Sequence, residues 1–279
     1  LGRGSVTVGR ERVLARVSRV LRDDLIPAVG IDRAEVELAA WTAPGEPVSF
    51  AYATAQDYAP IRRGQPWGKP WGTTWVRVRG VVPEEWGDDE HARRELSVDL
   101  GFLDDRPGFQ CEALIWGQDG RPIKGIEPAQ RVWWLPEGPG ESFTYYIEAA
   151  ANPDIAQHFS FRETPLGDPL TAGDAELYTW GEIGLVRRHL PTTELIRDLT
   201  ALTDLVGETP VRGAREERIL AAIERALNVV DPEDVRGTAE ASRAELSEVL
   251  AQPAVPSAHR VHAVGHAHLD SAWLWPLRE

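Results

Sequence analysis

Three potential metal ligands lie close together in the stretch GHAHLDSAWLWPLRE at residues 265–279. His266, His268 and Asp270 are two residues apart, and the apolar run before them, residues 261–265, predicts a short buried strand. An extended backbone would carry all three side chains on one side. Imidazole and carboxylate groups are ordinary zinc ligands, so the spacing predicts the first half of a divalent-metal site borne by a strand.

Histidines near aromatic residues are as often simply hydrogen-bonded at a domain edge, and H-x-H alone does not separate the two interpretations. The metal interpretation gains from Asp270 and from Trp273, which follows the carboxylate closely enough to wall the same pocket.

Composition restricts the classes of function. Acidic side chains outnumber basic ones by 44 to 30, which leaves a formal charge of −14. This charge repels phosphate backbones, so we expect no nucleic acid partner. Every apolar run is interrupted well before the roughly 20 residues that a membrane helix needs, so we expect no membrane segment. The single cysteine, Cys111, and the lack of a secretory signal favour a reducing, cytoplasmic location.

The hydrophobic pattern changes along the chain. Apolar residues between Arg10 and Leu25 follow helical spacing, and residues 31–165 contain short β-type runs separated by Gly- and Pro-rich turns. The middle third is charged and rich in Ala and Leu, and its apolar residues again follow helical spacing. The β-type runs are AEVELAAW, TTWVRVRGVV, RELSVDLGF, CEALIWG, RVWWLP and FTYYIEAAA.

These patterns predict an α+β fold. It has an antiparallel β-sandwich with an N-terminal helix, then a helical connector, a linker and a new apolar run. The predicted boundaries are 1–30 for the N-terminal helix, 31–170 for the β-sandwich, 171–252 for the helical connector, 253–258 for a linker and 259–279 for a final segment that carries the histidine motif.

Eleven tryptophans are present, and six of them are candidates for stacking on a sugar. Such residues could form a platform for oligosaccharide, but large aromatic side chains in strands more often fill the core between sheets or a domain interface. In RVWWLP the two indoles point to opposite faces, so at most one enters the core and the other covers a neighbouring domain. The six are Trp67, Trp71, Trp75, Trp116, Trp133 and Trp134.

The terminal stretch closely resembles the first catalytic motif of the α-mannosidases of glycoside hydrolase family 38. Two upstream stretches, WGKPWGTTWVRVRGVVPEEW at 67–86 and CEALIWGQDGRPIKGIEPAQR at 111–131, are similar to the N-terminal β domain of its cytosolic and bacterial branch. The helical segment after residue 174 is similar to the one that precedes the catalytic domain there. The resemblance covers most of the chain.

The resemblance implies a zinc-dependent retaining exo-α-mannosidase that removes terminal mannose from oligosaccharides. By this resemblance, His268 and Asp270 bind the zinc and Trp273 stacks on the sugar. His266 has a supporting role and is not a ligand. The family's nucleophile, acid/base carboxylate and remaining zinc ligands lie well downstream of the motif. The resemblance also implies that residues 259–279 are the start of a catalytic domain and contain the first strand of a truncated α/β catalytic barrel. We therefore expect an N-terminal fragment that hydrolyses nothing by itself and binds zinc weakly. Its implied partners are a mannose-containing oligosaccharide and the remainder of the catalytic domain. The sequence leaves open whether the protein forms a homo-oligomer.

Two other classes stay open on the residues alone. Metal-dependent amidohydrolases also place HxHxD-like residues after their first barrel strand, although usually near their own start and without AWLWP. A non-catalytic β-sandwich module that binds glycans would make the terminal motif a remnant, and it would bind sugar without metal.

Overall fold

The computed structural model describes residues 3–155, 163–208, 213–253 and 259–266. Within them the chain forms two compact units. A helical unit takes the described parts of 1–32, 89–93 and 187–264, and a sandwich unit takes the described parts of 33–88, 94–186 and 265–279.

Short strands dominate the chain between residues 30 and 189. In chain order they are β1 Gly30–Ala34, β2 Glu37–Thr42, β3 Ala59–Pro60, β4 Pro66–Trp67, β5 Thr73–Val81, β6 Ala92–Val98, β7 Glu112–Gly117, β8 Pro122–Ile126, β9 Val132–Trp134, β10 Ser142–Ala150, β11 Tyr178–Thr179 and β12 Ile183–His189. They form a six-stranded sheet in the order β3-β2-β5-β10-β7-β8, a four-stranded sheet in the order β1-β12-β6-β9, and the pair β11-β4. Each of the six predicted β-type runs overlaps a strand.

The core of the sandwich unit lies between the two larger sheets. In β10 the residues from Phe143 to Ala149 are alternately buried and half-buried, the period expected of a strand with one face against a core. Ile147 lies opposite Val76 of β5 and Ile115 of β7, and all three are fully buried. The four-stranded sheet completes this core with Leu96, Val98, Ile183 and Leu185.

The α-helices lie mainly before residue 30 and after residue 189. They are α1 Arg3–Val20, α2 Ile26–Ala28, α3 Phe50–Thr54, α4 Leu190–Glu208, α5 Ala214–Val229, α6 Val235–Ala244 and α7 Ser247–Leu250. A π-helical turn, Leu21–Leu25, joins α1 to α2. Asp234 caps α6 by accepting a hydrogen bond from the backbone N–H of Gly237 at 3.1 Å, which satisfies a donor that has no partner within the helix.

The helical unit has its own core, to which α1 contributes its apolar stripe. Val13, Val17 and Val20 are buried in one cluster with residues of α4, α5 and α6. At the edge of this cluster Arg16 donates a hydrogen bond to the side-chain oxygen of Asn228 at 2.8 Å. The predicted N-terminal helix and the predicted helical connector therefore share one hydrophobic core.

Two predicted features differ from the structure. The segment 171–252, predicted as a helical connector, begins with strands β11 and β12, and helix begins only at Leu190. Ile183 to Val186 form a continuously buried run, which suits helix and buried strand equally until β1 and β6 pair with it. Residues 261–265, predicted as a short buried strand, are exposed and form no strand. A barrel strand takes its hydrogen bonds from neighbouring strands, and no described segment pairs with this one.

Candidate functional site

The predicted metal site falls almost entirely outside the described residues. His268, Asp270 and Trp273 belong to the segment 267–279, so their positions as zinc ligands and sugar-stacking residue stay predictions. His266 is described, and it lies exposed in a segment without regular secondary structure. The donor types suit zinc, since an imidazole and a carboxylate are two of the three ligand types that bind it in proteins.

Several acidic residues in the loops of the described chain are engaged in ion pairs. Within the described ranges, no group of three or more His, Cys, Asp or Glu side chains is arranged to hold a metal ion. Asp104 pairs with Arg106, and Asp105 pairs with Arg131 at 2.7 Å. These carboxylates therefore stabilise exposed loops through local arginines.

The six tryptophans named in the sequence analysis differ in how deeply they are buried. Trp67, Trp71 and Trp75 are buried, Trp116 and Trp133 are half-buried, and Trp134 is 62% exposed. As predicted, the adjacent indoles of β9 differ: Trp133 packs against the sandwich core while Trp134 is largely outside it. Most of the tryptophans therefore support the fold, and they do not form one exposed sugar platform.

The outer surface of the six-stranded sheet, on the side away from the sandwich core, carries a second aromatic cluster. Trp75, Trp116 and Tyr146 alternate along their strands with core residues, which directs them outward. Phe50 of α3 packs onto all three, with ring centroids 6.0, 5.6 and 5.4 Å away, respectively. We call these four residues the aromatic face. It holds the short helix α3 against the sheet.

Polar groups reinforce the aromatic face. Glu148 accepts a hydrogen bond from Nε1 of Trp116 at 3.0 Å, and partial burial raises the pKa of its carboxyl while this hydrogen bond opposes the rise. The guanidinium carbon of Arg77 lies 5.1 Å from the ring centroid of Tyr58, a cation–π distance. Burial also raises the pKa of Tyr58. These contacts fix the side chains beside α3, so the helix rests on a rigid support.

A cleft of about 340 Å³ adjoins α3, on residues that the sequence did not single out. The ring of Tyr52 is 52% exposed at the cleft, and its centroid lies 6.1 Å from that of Trp41 in β2. A sequence signal existed, because Ser49 is a favoured N-cap and precedes FAYAT. The complete lining is Pro44, Gly45, Glu46, Val48, Ser49 and Tyr52.

Comparison with known proteins agrees with this architecture. Residues 33–179 match the family model described as "Alpha-mannosidase, jelly roll domain", and this match covers more than half of the chain. A jelly roll is a two-sheet antiparallel sandwich, the class of fold that β1 to β12 build. The chain belongs to this alpha-mannosidase jelly roll family, which confirms the resemblance found in the sequence.

Named relatives give the same result. Alpha-mannosidase 2C1 of Mus musculus is 29% identical over 255 residues, which cover 89% of this chain and 22% of the relative. The Homo sapiens protein of that name is 28% identical over 241 residues, covering 84% and 21%, respectively. Alpha-mannosidase G of Dictyostelium discoideum is 26% identical over 237 residues, covering 82% and 20%. The chain spans about a fifth of the length of these relatives. Among the described helices, none is both long enough and apolar enough to cross a membrane.

Proposed function

We propose that this chain provides the β-sandwich and helical parts of a zinc-dependent retaining exo-α-mannosidase that removes terminal α-mannose from oligosaccharides. The observation that carries the proposal is the alpha-mannosidase family match over residues 33–179, in a chain that also contains the motif GHAHLDSAW. The single, buried Cys111 offers no internal disulfide and fits a cytoplasmic site of action.

In this proposal, His268 and Asp270 hold the zinc and Trp273 stacks on the sugar in the cleavage subsite. When bound, the zinc supplies a Lewis acid that coordinates adjacent sugar hydroxyls and favours the distorted ring of the transition state. Trp273 orients the sugar by offering a flat apolar face to its C–H groups.

Hydrolysis with retention needs a carboxylate nucleophile and a carboxylic acid about 5–5.5 Å apart. By the family resemblance both lie outside the given sequence, as do the other zinc ligands. We therefore expect the 279-residue chain to be inactive by itself and to bind zinc weakly, since two ligands are half of a tetrahedral site.

The test uses the full-length reading frame and an aryl α-mannoside as substrate. We expect turnover in the wild type, its loss on chelation, and recovery when zinc is added back. Asp270→Ala should be inactive with or without zinc, because it removes a proposed ligand. Asp105→Ala is the matched control, since this carboxylate is 95% exposed and far along the chain from the motif.

The proposal fails if the full-length wild type does not hydrolyse α-mannosides. Metal-dependent hydrolysis of an amide or a phosphodiester instead would favour the amidohydrolase alternative. If α-mannosides are hydrolysed but Asp270→Ala keeps full activity, the enzyme class stands and the ligand assignment is wrong.

A further inference from the structure

We infer that His189 is a pH-sensitive cap of helix α4: its neutral ring closes the first turn of the helix, and its protonation opens that turn. His189 is the last residue of β12, and α4 begins at the next residue. The ring therefore acts at the point where the chain changes from strand to helix. All the groups involved belong to the helical unit, so the inference does not depend on the proposed zinc site.

The start of α4 has an acceptor for each of its backbone donors. The first four N–H groups of a helix have no partner within it. In α4 one of these four positions is Pro191, which has no N–H to satisfy. Two of the others donate to backbone carbonyls of the helical unit, at 2.8 Å each. These two donors are the N–H groups of His189 and Leu190, and their acceptors are the carbonyls of Val29 and His91, respectively.

The fourth donor, the N–H of Thr192, depends on the ring of His189. Nδ1 of this ring accepts the N–H at 3.3 Å, and the hydroxyl of Thr192 lies 2.8 Å from the same nitrogen. Thr192 is fully buried, so water cannot take the place of the ring as acceptor. A ring nitrogen that accepts carries no proton. The ring that caps α4 is therefore the neutral tautomer with its proton on Nε2.

Protonation changes what Nδ1 of His189 can do. Both ring nitrogens of an imidazolium ion are donors, so Nδ1 can keep a contact with the hydroxyl of Thr192 but can no longer accept its N–H. That buried N–H then lacks an acceptor, which costs about as much as a lost hydrogen bond. The positive charge also lies at the N-terminus of a 19-residue helix, where the helix dipole disfavours cations. Both effects favour opening of the first turn.

The groups that surround the ring oppose its protonation in the folded state. Burial lowers the pKa of His189 below its ordinary value of 6.5, and the positive charges of Arg236 and His91 lower it further. Arg236 is fixed in place, because its guanidinium donates to two backbone carbonyls at 3.0 and 2.7 Å. The carboxylate of Asp89 raises the pKa, but it already pairs with Arg187 at 2.9 Å.

Acid should therefore weaken the first turn of α4. Once the turn opens, His189 is an ordinary imidazole that takes up a proton more readily than the folded ring does. The stability of the turn is fully present above about pH 6.5 and decreases as the pH falls towards the folded-state pKa. At about pH 5.5 about nine-tenths of ordinary imidazoles are charged. Opening should then be about fivefold more favourable than at neutral pH, the size expected for the loss of one N-cap.

The test measures hydrogen exchange of the full-length protein by mass spectrometry, in peptides that cover the first turn of α4. Exchange is compared at about pH 7.5 and about pH 5.5, after correction for the intrinsic pH dependence of amide exchange. In the wild type, opening of this turn should increase about fivefold at the lower pH. His189→Asn should show no such increase, because its amide oxygen caps a helix but does not titrate. His189→Ala has no cap and should open about fivefold more readily than the wild type already at the higher pH.

His262→Asn is the matched control, because it replaces an exposed histidine outside α4, and it should keep the wild-type response to pH. His91 is present in every variant, so its own protonation cannot explain a difference between the wild type and His189→Asn. The inference is overturned if the wild type opens equally at both pH values, or if His189→Asn responds to pH as the wild type does. It is also overturned if His189→Ala is as well protected as the wild type at the higher pH.

Discussion

Replacing Trp67 by alanine should severely destabilise the sandwich unit. The indole is 97% buried, since only 3% of the residue is exposed. It stacks on Trp180 with ring centroids 4.3 Å apart and planes 11° from parallel, and it also contacts Tyr178. Its Nε1 donates a hydrogen bond of 2.8 Å to the backbone carbonyl of Leu100. The substitution removes the ring, the stack and the donor together.

The magnitude follows from these contacts. A buried tryptophan removes about 200–250 Å² from water, which at about 25 cal/mol per Å² is worth about 5–6 kcal/mol. Measured Trp→Ala changes in cores cost about 3–5 kcal/mol, because the surroundings relax in part. The carbonyl of Leu100 loses its partner as well, at about 1–3 kcal/mol if it stays dry. We expect a loss of about 4–6 kcal/mol, a large share of the stability of a typical domain.

Hydrogen exchange resolved to peptides from β10 is the suitable assay, because this strand lies at the centre of the six-stranded sheet. The free energy of opening of these amides should fall by the full amount in Trp67→Ala. Trp67→Phe should lose about 1–3 kcal/mol, since it keeps a stacked ring but cannot donate to Leu100. Trp134→Ala is the control: its indole is 62% exposed, and the expected loss is at most about 1 kcal/mol.

A similar decrease in protection for Trp67→Ala and Trp134→Ala would refute the reasoning, because burial and stacking would then not determine the cost. Full protection of β10 in Trp67→Ala would contradict it as well. The phenylalanine variant keeps the test informative if the alanine variant fails to fold.

Two further predictions concern a glycine and a carboxylate. Gly101→Ala should cost about 2–4 kcal/mol in thermal or urea unfolding, since φ is +86° and the new Cβ would collide with the carbonyl oxygen of Thr179. Gly140→Ala, with φ +78° but open space, should cost only about 1–2 kcal/mol, and equal losses would rule out the collision. Burial raises the folded-state pKa of Glu148 above its ordinary value of 4.5, so the native state holds this proton more tightly than the unfolded state. Stability should therefore fall as pH rises from about 4.5 through the folded-state pKa, and Glu148→Gln should remove this part of the pH dependence in urea titrations. An unchanged pH profile in Glu148→Gln would show that the carboxyl is hydrated in the native state.

Alternating burial made most of the sandwich predictable from the sequence. Strand β10 has a period-two pattern over all nine of its residues, and this pattern identifies it as a strand. The sequence places the run at β12 in the predicted helical connector, and its four consecutive buried residues have no period of their own that would mark a strand. It becomes a strand through pairing with β1, about 150 residues earlier in the chain, and a local pattern does not contain that information.

The candidate sites are predictable only where a local sequence pattern contains the information. The motif at 265–279 is recognisable because its chemistry lies in residue types at close spacing. The cleft at Tyr52 depends on a five-residue helix and on Trp41 from a separate strand. Its aromatic support comes from three further strands, so the exposure of Tyr52 could not be inferred from its neighbours in sequence.

The division of the helical core between distant segments has a consequence for biosynthesis. α1 emerges from the ribosome early, but α4 and α5, which share its core, begin only at Leu190 and Ala214. At about 5–20 residues per second, the apolar stripe of α1 waits on the order of ten to forty seconds for these partners. The strands of the sandwich are translated during this interval. During this interval the apolar stripe of a nascent α1 lacks its partners, and slow codons between 190 and 229 would lengthen its exposure.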